Sequence, residues 1–270
     1  MNRQSSATNT DGGAFTAVQR DLANDGYAVL KGVVPREPLA ELHLQLLDAY
    51  QASAKFAGGG SIMGHLNCFP GEAARLIYEA LRDCGLVAAI IASRPGKPND
   101  MFARVNWNLP GSCAQHWHMD GTFVRDFIIC NVAIIDIDRI NGPTEVIPGS
   151  HRQFCPYWRF VTERRTRLSA AVPLHQGDVL IRTSTLWHRG TPNRSGAVRS
   201  LMSLSFGEKE AGPEDPFETN GGGITFYPNW YDNATRADIL RERLEKTLPV
   251  TRSAGRLAKS LLGDRGYDSY

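Results

Sequence analysis

Leu39, Leu42, Leu46 and Tyr50 recur at three- and four-residue intervals, a spacing that lines one side of a helix and predicts one over residues 36–50. A shorter helical pattern covers residues 15–24, and between the two Asp25-Gly26 opens a four-residue apolar run, Tyr27-Ala28-Val29-Leu30, that reads as a strand. A third helical stretch runs from Glu72 to Ala92 and is expected to break near Gly85. The first third of the chain is therefore expected to be mainly helical.

From Met101 the period changes. Phe102, Arg104 and Asn106 alternate with Ala103, Val105 and Trp107, and residues 128–137 form a nearly continuous apolar run suited to a strand covered on both faces. Residues 179–182 and 198–206 read as two more strands, the second with Ser200, Met202, Leu204 and Phe206 on one face and Arg199, Leu201, Ser203 and Ser205 on the other. Short β-rich runs separated by Gly, Pro and Asn predict a mainly β protein with flanking helices, its core a double-stranded β-helix of the jelly-roll or cupin-like kind. The expected layout is one domain over residues 1–270: a disordered leader at 1–13, a mainly helical part at 14–95, the β core at 96–210, and a loop with C-terminal helices at 211–270. Two Gly-rich stretches, 57–61 and 211–223, fit either lids over a site or plain surface connections. No internal repeat is present.

Composition narrows the function. With 42% hydrophobic and 21% charged residues the chain reads as an ordinary globular protein. Thirty basic against 28 acidic residues, with no tract dense enough to track phosphates, excludes nucleic acid as an expected partner. No run is long and apolar enough to span a membrane, and the polar first 13 residues lack the apolar stretch of a signal peptide. Five widely spaced cysteines without a C-x-x-C pair suit reduced thiols, so the cytoplasm is the expected location. Nothing bears on oligomeric state.

The chemistry concentrates in His116-Trp117-His118-Met119-Asp120-Gly121 and, far downstream, Leu186-Trp187-His188. On extended backbone His118 and Asp120 point the same way while Trp117 and Met119 point to the opposite layer, so a His-x-Asp pair and one later His can share a metal. Two imidazoles and a carboxylate on one face of an octahedral ion leave the other face open, the arrangement of oxygen-activating non-haem iron(II). His116 shares the face of His118 and Asp120, but three ligands over four residue steps span about 13 Å at about 3.3 Å per residue, too far for the outer two to meet at one ion. It is read instead as substrate-facing, as supporting the ligands, or as a core histidine. Arg199, with Ser203 on the same strand face, offers a guanidinium and a hydroxyl for a carboxylate such as the distal one of 2-oxoglutarate, with Arg194 in the turn after Pro192 as the fallback. Arg104 and Asn106 are expected to face the interior and hint at a polar or anionic small-molecule substrate. A mononuclear zinc hydrolase with the same three ligands and a non-catalytic β-helix binding module are the competing readings, although no H-E-x-x-H, G-x-S-x-G or dinucleotide-binding glycine motif occurs in a convincing context.

Four segments in order resemble the phytanoyl-CoA dioxygenase family of iron(II)/2-oxoglutarate oxygenases: residues 25–33, the Trp117 to Gly121 run, the Asn141-Gly142 to Pro148-Gly149-Ser150-His151 run, and His188-Arg189-Gly190-Thr191-Pro192-Asn193 through Arg199. The resemblance implies His118, Asp120 and His188 as iron ligands, Arg199 as the 2-oxoglutarate anchor, and Ser203 and Gln115 as further co-substrate contacts. Met119 stands where relatives often have Gln. Halogenating relatives replace the carboxylate ligand with a small residue, so Asp120 favours hydroxylation of a C–H bond, with desaturation, ring closure or epimerisation open to the same site. The implied participants are Fe(II), 2-oxoglutarate, O2 and a small-molecule metabolite in a tailoring or biosynthetic step.

Overall fold

The computed structural model describes residues 12–53, 62–94, 100–207, 217–227 and 236–262. The expected leader lies outside these residues except for its last two, which open the first helix. The 57–61 loop lies outside them as well, as does the first half of the 211–223 loop.

Ten strands are described: β1 (Tyr27–Leu30), β2 (His65–Phe69), β3 (Met101–Asn108), β4 (Ile128–Ala133), β5 (Thr144–Val146), β6 (Ala170–Val172), β7 (Val179–Thr183), β8 (His188–Gly190), β9 (Arg199–Phe206) and β10 (Thr225–Tyr227). They form a seven-stranded sheet in the order β1-β7-β4-β9-β3-β2-β10 and a three-stranded sheet in the order β6-β5-β8. Every pairing is antiparallel. Helices α1 (Gly12–Asp25), α2 (Arg36–Ala52), α3 (Arg75–Asp83) and α4 (Leu86–Ala92) precede the central strands. Helix α5 (Tyr157–Thr162) interrupts them, and α6 (Arg236–Thr247) and α7 (Pro249–Leu261) follow.

The helical stripe of α2 is buried as its spacing requires, with Leu39, Leu42 and Leu46 inside and Tyr50 packed on Trp107 and Phe226 at ring-centroid distances of 5.6 and 5.3 Å. The break near Gly85 is present: its φ of +84° places it in the left-handed region, ending α3 and starting α4. The apolar run from Ile128 supplies a shorter strand than its length suggests. Strand β4 ends at Ala133, and Ile137 instead bridges Leu174.

The large sheet has two unlike faces. Ala103, Val105, Trp107, Cys130, Val132, Ile181, Met202 and Leu204 pack against the helices in the main core. On the other face Ala133, Leu180 and Leu201 meet Val146, Val172, Leu174 and Leu186 of the small sheet and its connections. A third cluster, Trp117, Met119, Ile147, Cys155, Tyr157, Phe160 and Trp187, is a separate one from that inter-sheet layer. Each large side chain removed from water contributes about 1.5–3 kcal/mol, so the inter-sheet layer has apolar anchoring to spare for a polar patch among its neighbours.

Candidate active site

The segment 112–120 is extended without being a regular strand, and it reaches the small sheet through one antiparallel bridge, His118 to His188. The two residues exchange backbone hydrogen bonds of 3.1 and 3.0 Å, which sets their imidazoles side by side with ring centroids 4.3 Å apart. Two positions on, the amides of Asp120 and Gly121 both donate to the Ser184 carbonyl, at 2.9 and 3.1 Å. Gly121 is required here because a Cβ would lie 2.3 Å from Ser184 Oγ. Trp117 and Met119 point into the third apolar cluster, as alternation demands.

His118, Asp120 and His188 consequently present three ligand atoms within 4.8 Å of one another. Asp120 Oδ1 lies 3.6 Å from His118 Nε2, and its Oδ2 lies 3.4 Å from His188 Nε2. An ion about 2.1 Å from each donor needs adjacent donors about 3 Å apart, which these side chains reach by small inward movements. The tautomers suit the task. His118 Nδ1 is 2.9 Å from the His116 carbonyl and His188 Nδ1 is 3.0 Å from the Leu186 carbonyl. A carbonyl only accepts, so each Nδ1 carries the proton and each Nε2 turns a bare lone pair to the centre. Burial, helped by the positive charge of Arg182, holds the His188 imidazole well below its ordinary range, so it is neutral at neutral pH. Burial alone would raise the Asp120 carboxyl, but Arg182, His188 and His118 outweigh it and hold it well below the usual carboxylate range. Two imidazoles and one carboxylate are the donor set that the residues of the site offer a divalent ion.

Arg182 was not among the residues picked from sequence, and it ties the site together. Its Nη2 donates to Asp120 Oδ2 at 2.5 Å and its Nε to Asn131 Oδ1 at 3.0 Å. Asn131 Nδ2 donates to Ser203 Oγ at 2.6 Å, and Asn106 Nδ2 donates to the same oxygen at 2.8 Å. A polar chain thus crosses β7, β4, β9 and β3 from the carboxylate to Asn106. Period-two alternation would have flagged Arg182 as an inward charge in a buried strand, Val-Leu-Ile-Arg-Thr, had its partners been known.

The remaining sequence-selected residues fall as follows. Arg199 is 3% exposed and faces Asn108 across the β9–β3 pair. Asn108, turned so that its nitrogen meets Ser112 Oγ at 2.5 Å, accepts from Arg199 Nη2 at 3.3 Å. Arg199 Nε and Nη1 are buried without a hydrogen-bond partner, and burial pushes the guanidinium down to about 10, still charged at neutral pH. Ser203 is four residues along the strand from Arg199, about 13 Å at about 3.3 Å per residue, and its bonded neighbours are the two asparagines. Gln115 commits its side-chain oxygen to the Gly190 amide at 2.7 Å, pinning β8 just past His188. His116 lies beside His118 with ring centroids 5.0 Å apart, and Arg104 lies over the Phe102 ring at 4.3 Å. Arg194 is exposed in its turn.

The sequence model described as phytanoyl-CoA dioxygenase (PhyH) matches residues 22–201, two thirds of the chain and the whole span carrying His118, Asp120, His188 and Arg199. The chain belongs to the phytanoyl-CoA dioxygenase family. Solved structures share the fold of this family member at low identity. The epimerase SnoN, determined with Fe3+, alpha-ketoglutarate and nogalamycin RO, aligns with a TM-score of 0.58 and 19% identity over 73% of this chain and 85% of its own. The carbocyclase SnoK from nogalamycin biosynthesis gives 0.59 and 15% over 86% and 92%. EvdO2 from Micromonospora carbonacea var. aurantiaca, complexed with 2-oxoglutarate, gives 0.54 and 17% over 74% and 93%.

Proposed function

We propose that this phytanoyl-CoA dioxygenase family member is an iron(II)- and 2-oxoglutarate-dependent oxygenase. In this reading His118, Asp120 and His188 hold the metal and Arg199 holds the distal carboxylate of 2-oxoglutarate. The observation that carries it is the pair of locally fixed imidazoles, each with Nδ1 on the carbonyl two residues back, converging with Asp120 in one group of donor atoms within 4.8 Å. The two sheets are read as the halves of a double-stranded β-helix within one domain covering the chain. Its free cysteines suit the reducing cytoplasm.

Bound at these ligands, iron(II) with 2-oxoglutarate and dioxygen supplies an oxidant able to break an unactivated C–H bond, with succinate and carbon dioxide as by-products. The chain's own contribution is placement. His118 and His188 present Nε2 because their other nitrogens are tied to backbone. Arg182 holds Asp120 by one oxygen while the other faces His118. Arg199 keeps Nε and Nη1 buried without an internal partner, which leaves donors of a buried cation for an anionic ligand. Asn106, Arg104 and His116 are assigned to the wall that meets a polar or anionic small-molecule metabolite, and Ser203 and Gln115 support it through Asn106 and Gly190. Which hydrogen this wall brings nearest decides the product, and hydroxylation is the assigned outcome.

Succinate release from 2-oxoglutarate with iron(II), ascorbate and a panel of candidate metabolites tests the reading. Substrate-dependent release is expected from the wild type and not from Asp120→Ala or Arg199→Ala. Background release by all three with every metabolite, or anaerobically purified protein that retains zinc and ignores 2-oxoglutarate, would overturn it.

A further inference from the structure

Trp117 stands between His116 and His118, and Arg189 between His188 and Gly190, so alternation sends both side chains away from the metal-ligating atoms. There they meet. The Arg189 guanidinium lies 4.6 Å from the Trp117 ring centroid, and the two line a cleft of about 400 Å³ together with Tyr157, Phe160, Arg164 and Arg167. None of His118, Asp120, His188 or Arg199 lines it.

Two features mark the cleft as built to receive something. Arg164 is the one non-glycine residue with positive φ among the described residues, at +51°. It follows the C-cap of α5, Glu163, and precedes a 3-10 turn, Arg165–Leu168, and both Arg164 and Arg167 line the cleft. An arginine gains nothing locally from the left-handed conformation, which glycine would adopt without strain. In addition, the side chains of Arg164 and Arg167 make no hydrogen bond or ion pair with any described residue, although Glu163 beside them binds both Arg159 and Arg165. The acid present is spent on the neighbours, and two exposed arginines remain in the lining of the cleft.

We propose that this cleft is a second binding site, for a small aromatic anion such as an aryl phosphate or aryl carboxylate. Its ring lies over Val161, the exposed apolar side chain of the lining, with the edges of Tyr157 and Phe160 beneath, and its charge meets Arg164 and Arg167. A volume of about 400 Å³ is at the lower end of small-molecule sites and holds one or two rings with an anionic group. Arginine supplies both the bidentate partner for the anion and a flat surface for the ring. The assignment does not depend on what the metal-ligating group does.

Phenyl phosphate titrated by calorimetry into the full chain, with excess EDTA, is the probe. The wild type is expected to bind it about tenfold or more tighter than inorganic phosphate, and Arg164→Ala with Arg167→Ala to weaken it by about tenfold or more. Arg199→Ala is expected to leave it unchanged. Arg164→Gly, which relieves the backbone while removing the guanidinium, is expected to melt no lower than wild type and still bind more weakly. Phenyl phosphate binding no tighter than inorganic phosphate, indifferent to loss of both arginines, or abolished by Arg199→Ala would overturn the proposal.

Discussion

Arg182 shows how much one residue can organise without touching a reacting atom. Its guanidinium spans Asp120 and Asn131, and removing it leaves a carboxylate and an amide oxygen without their donor. Arg182→Met is expected to cost about 1–3 kcal/mol in chemical denaturation. It is also expected to weaken Mn(II) binding by about 10–100-fold, the usual effect of losing the partner that orients a metal ligand. Unchanged Mn(II) affinity in a folded variant would show that Asp120 needs no such partner. Arg199→Lys is the sharper probe of the co-substrate end, because lysine keeps the charge and loses the fork. A rise of about tenfold or more in the KM for 2-oxoglutarate is expected, measured at saturating iron. The convergence of His118, Asp120 and His188 was legible because the first pair lies two residues apart on extended backbone and the second histidine follows the Gly177-Asp178 turn and a strand, on a later sheet element able to return to the first. Arg182 was not, since its partner lies 62 residues away and an arginine within an apolar strand carries no sign of which acid it meets.

Among the elements, the junction of β7 with the chain after β1 is held by a buried acid. Asp178, 2% exposed, accepts from Lys31 Nζ and the Gly32 amide, both at 2.8 Å, and from the His175 amide at 2.9 Å. Burial alone would raise its carboxyl, but Lys31 and the two amides outweigh it and set it below the ordinary value of 3.8. A depressed carboxyl contributes stability that is complete above its unfolded value, about 3.9, and is lost as pH falls through the lower folded value. Asp178→Asn is therefore expected to lower stability by about 1–3 kcal/mol at neutral pH. The gap from wild type should stay constant down to about pH 5 and close below about pH 4 in urea unfolding at each pH. The preceding turn uses Gly177 at φ +90°, where a Cβ would sit 2.3 Å from the Val34 carbonyl oxygen, so Gly177→Ala is expected to destabilise by more than the about 1 kcal/mol of an ordinary helix-interior exchange in reverse. Among strands of four to eight residues, β3 and β9 were readable from alternation and β1, β4 and β7 as short runs rich in apolar residues, whereas β2 was not read. Of the three-residue strands, β5 lies in the 142–151 stretch that reads as a strand leading into a turn, whereas β6, β8 and β10 are shorter than two periods and were not read as strands, although β8 carries His188.

At the level of the whole molecule, the two-sheet arrangement follows from composition and punctuation, whereas the order of strands does not. Neighbouring strands are drawn from opposite ends of the chain: Thr183 at the end of β7 meets Gly26 before β1, 157 residues away. Pairings of such separation close large loops before any contact rewards them, so refolding from urea is expected to take seconds or longer with transient exposure of apolar strand faces. A single millisecond phase in stopped-flow fluorescence would contradict this. Strand order was illegible for the same reason, because periodicity records which face a residue takes and nothing about its neighbour.

The seat of β9 between β4 and β3 has a consequence for biosynthesis. On the ribosome, β4 and β3 emerge long before the strand that lies between them, and they cannot simply pair with each other without occupying its place. Until synthesis passes Phe206 the principal sheet lacks its middle strand, and Arg199 takes its place only as that strand is added. A polypeptide cut short before the ninth strand therefore lacks both Arg199 and the centre of its principal sheet.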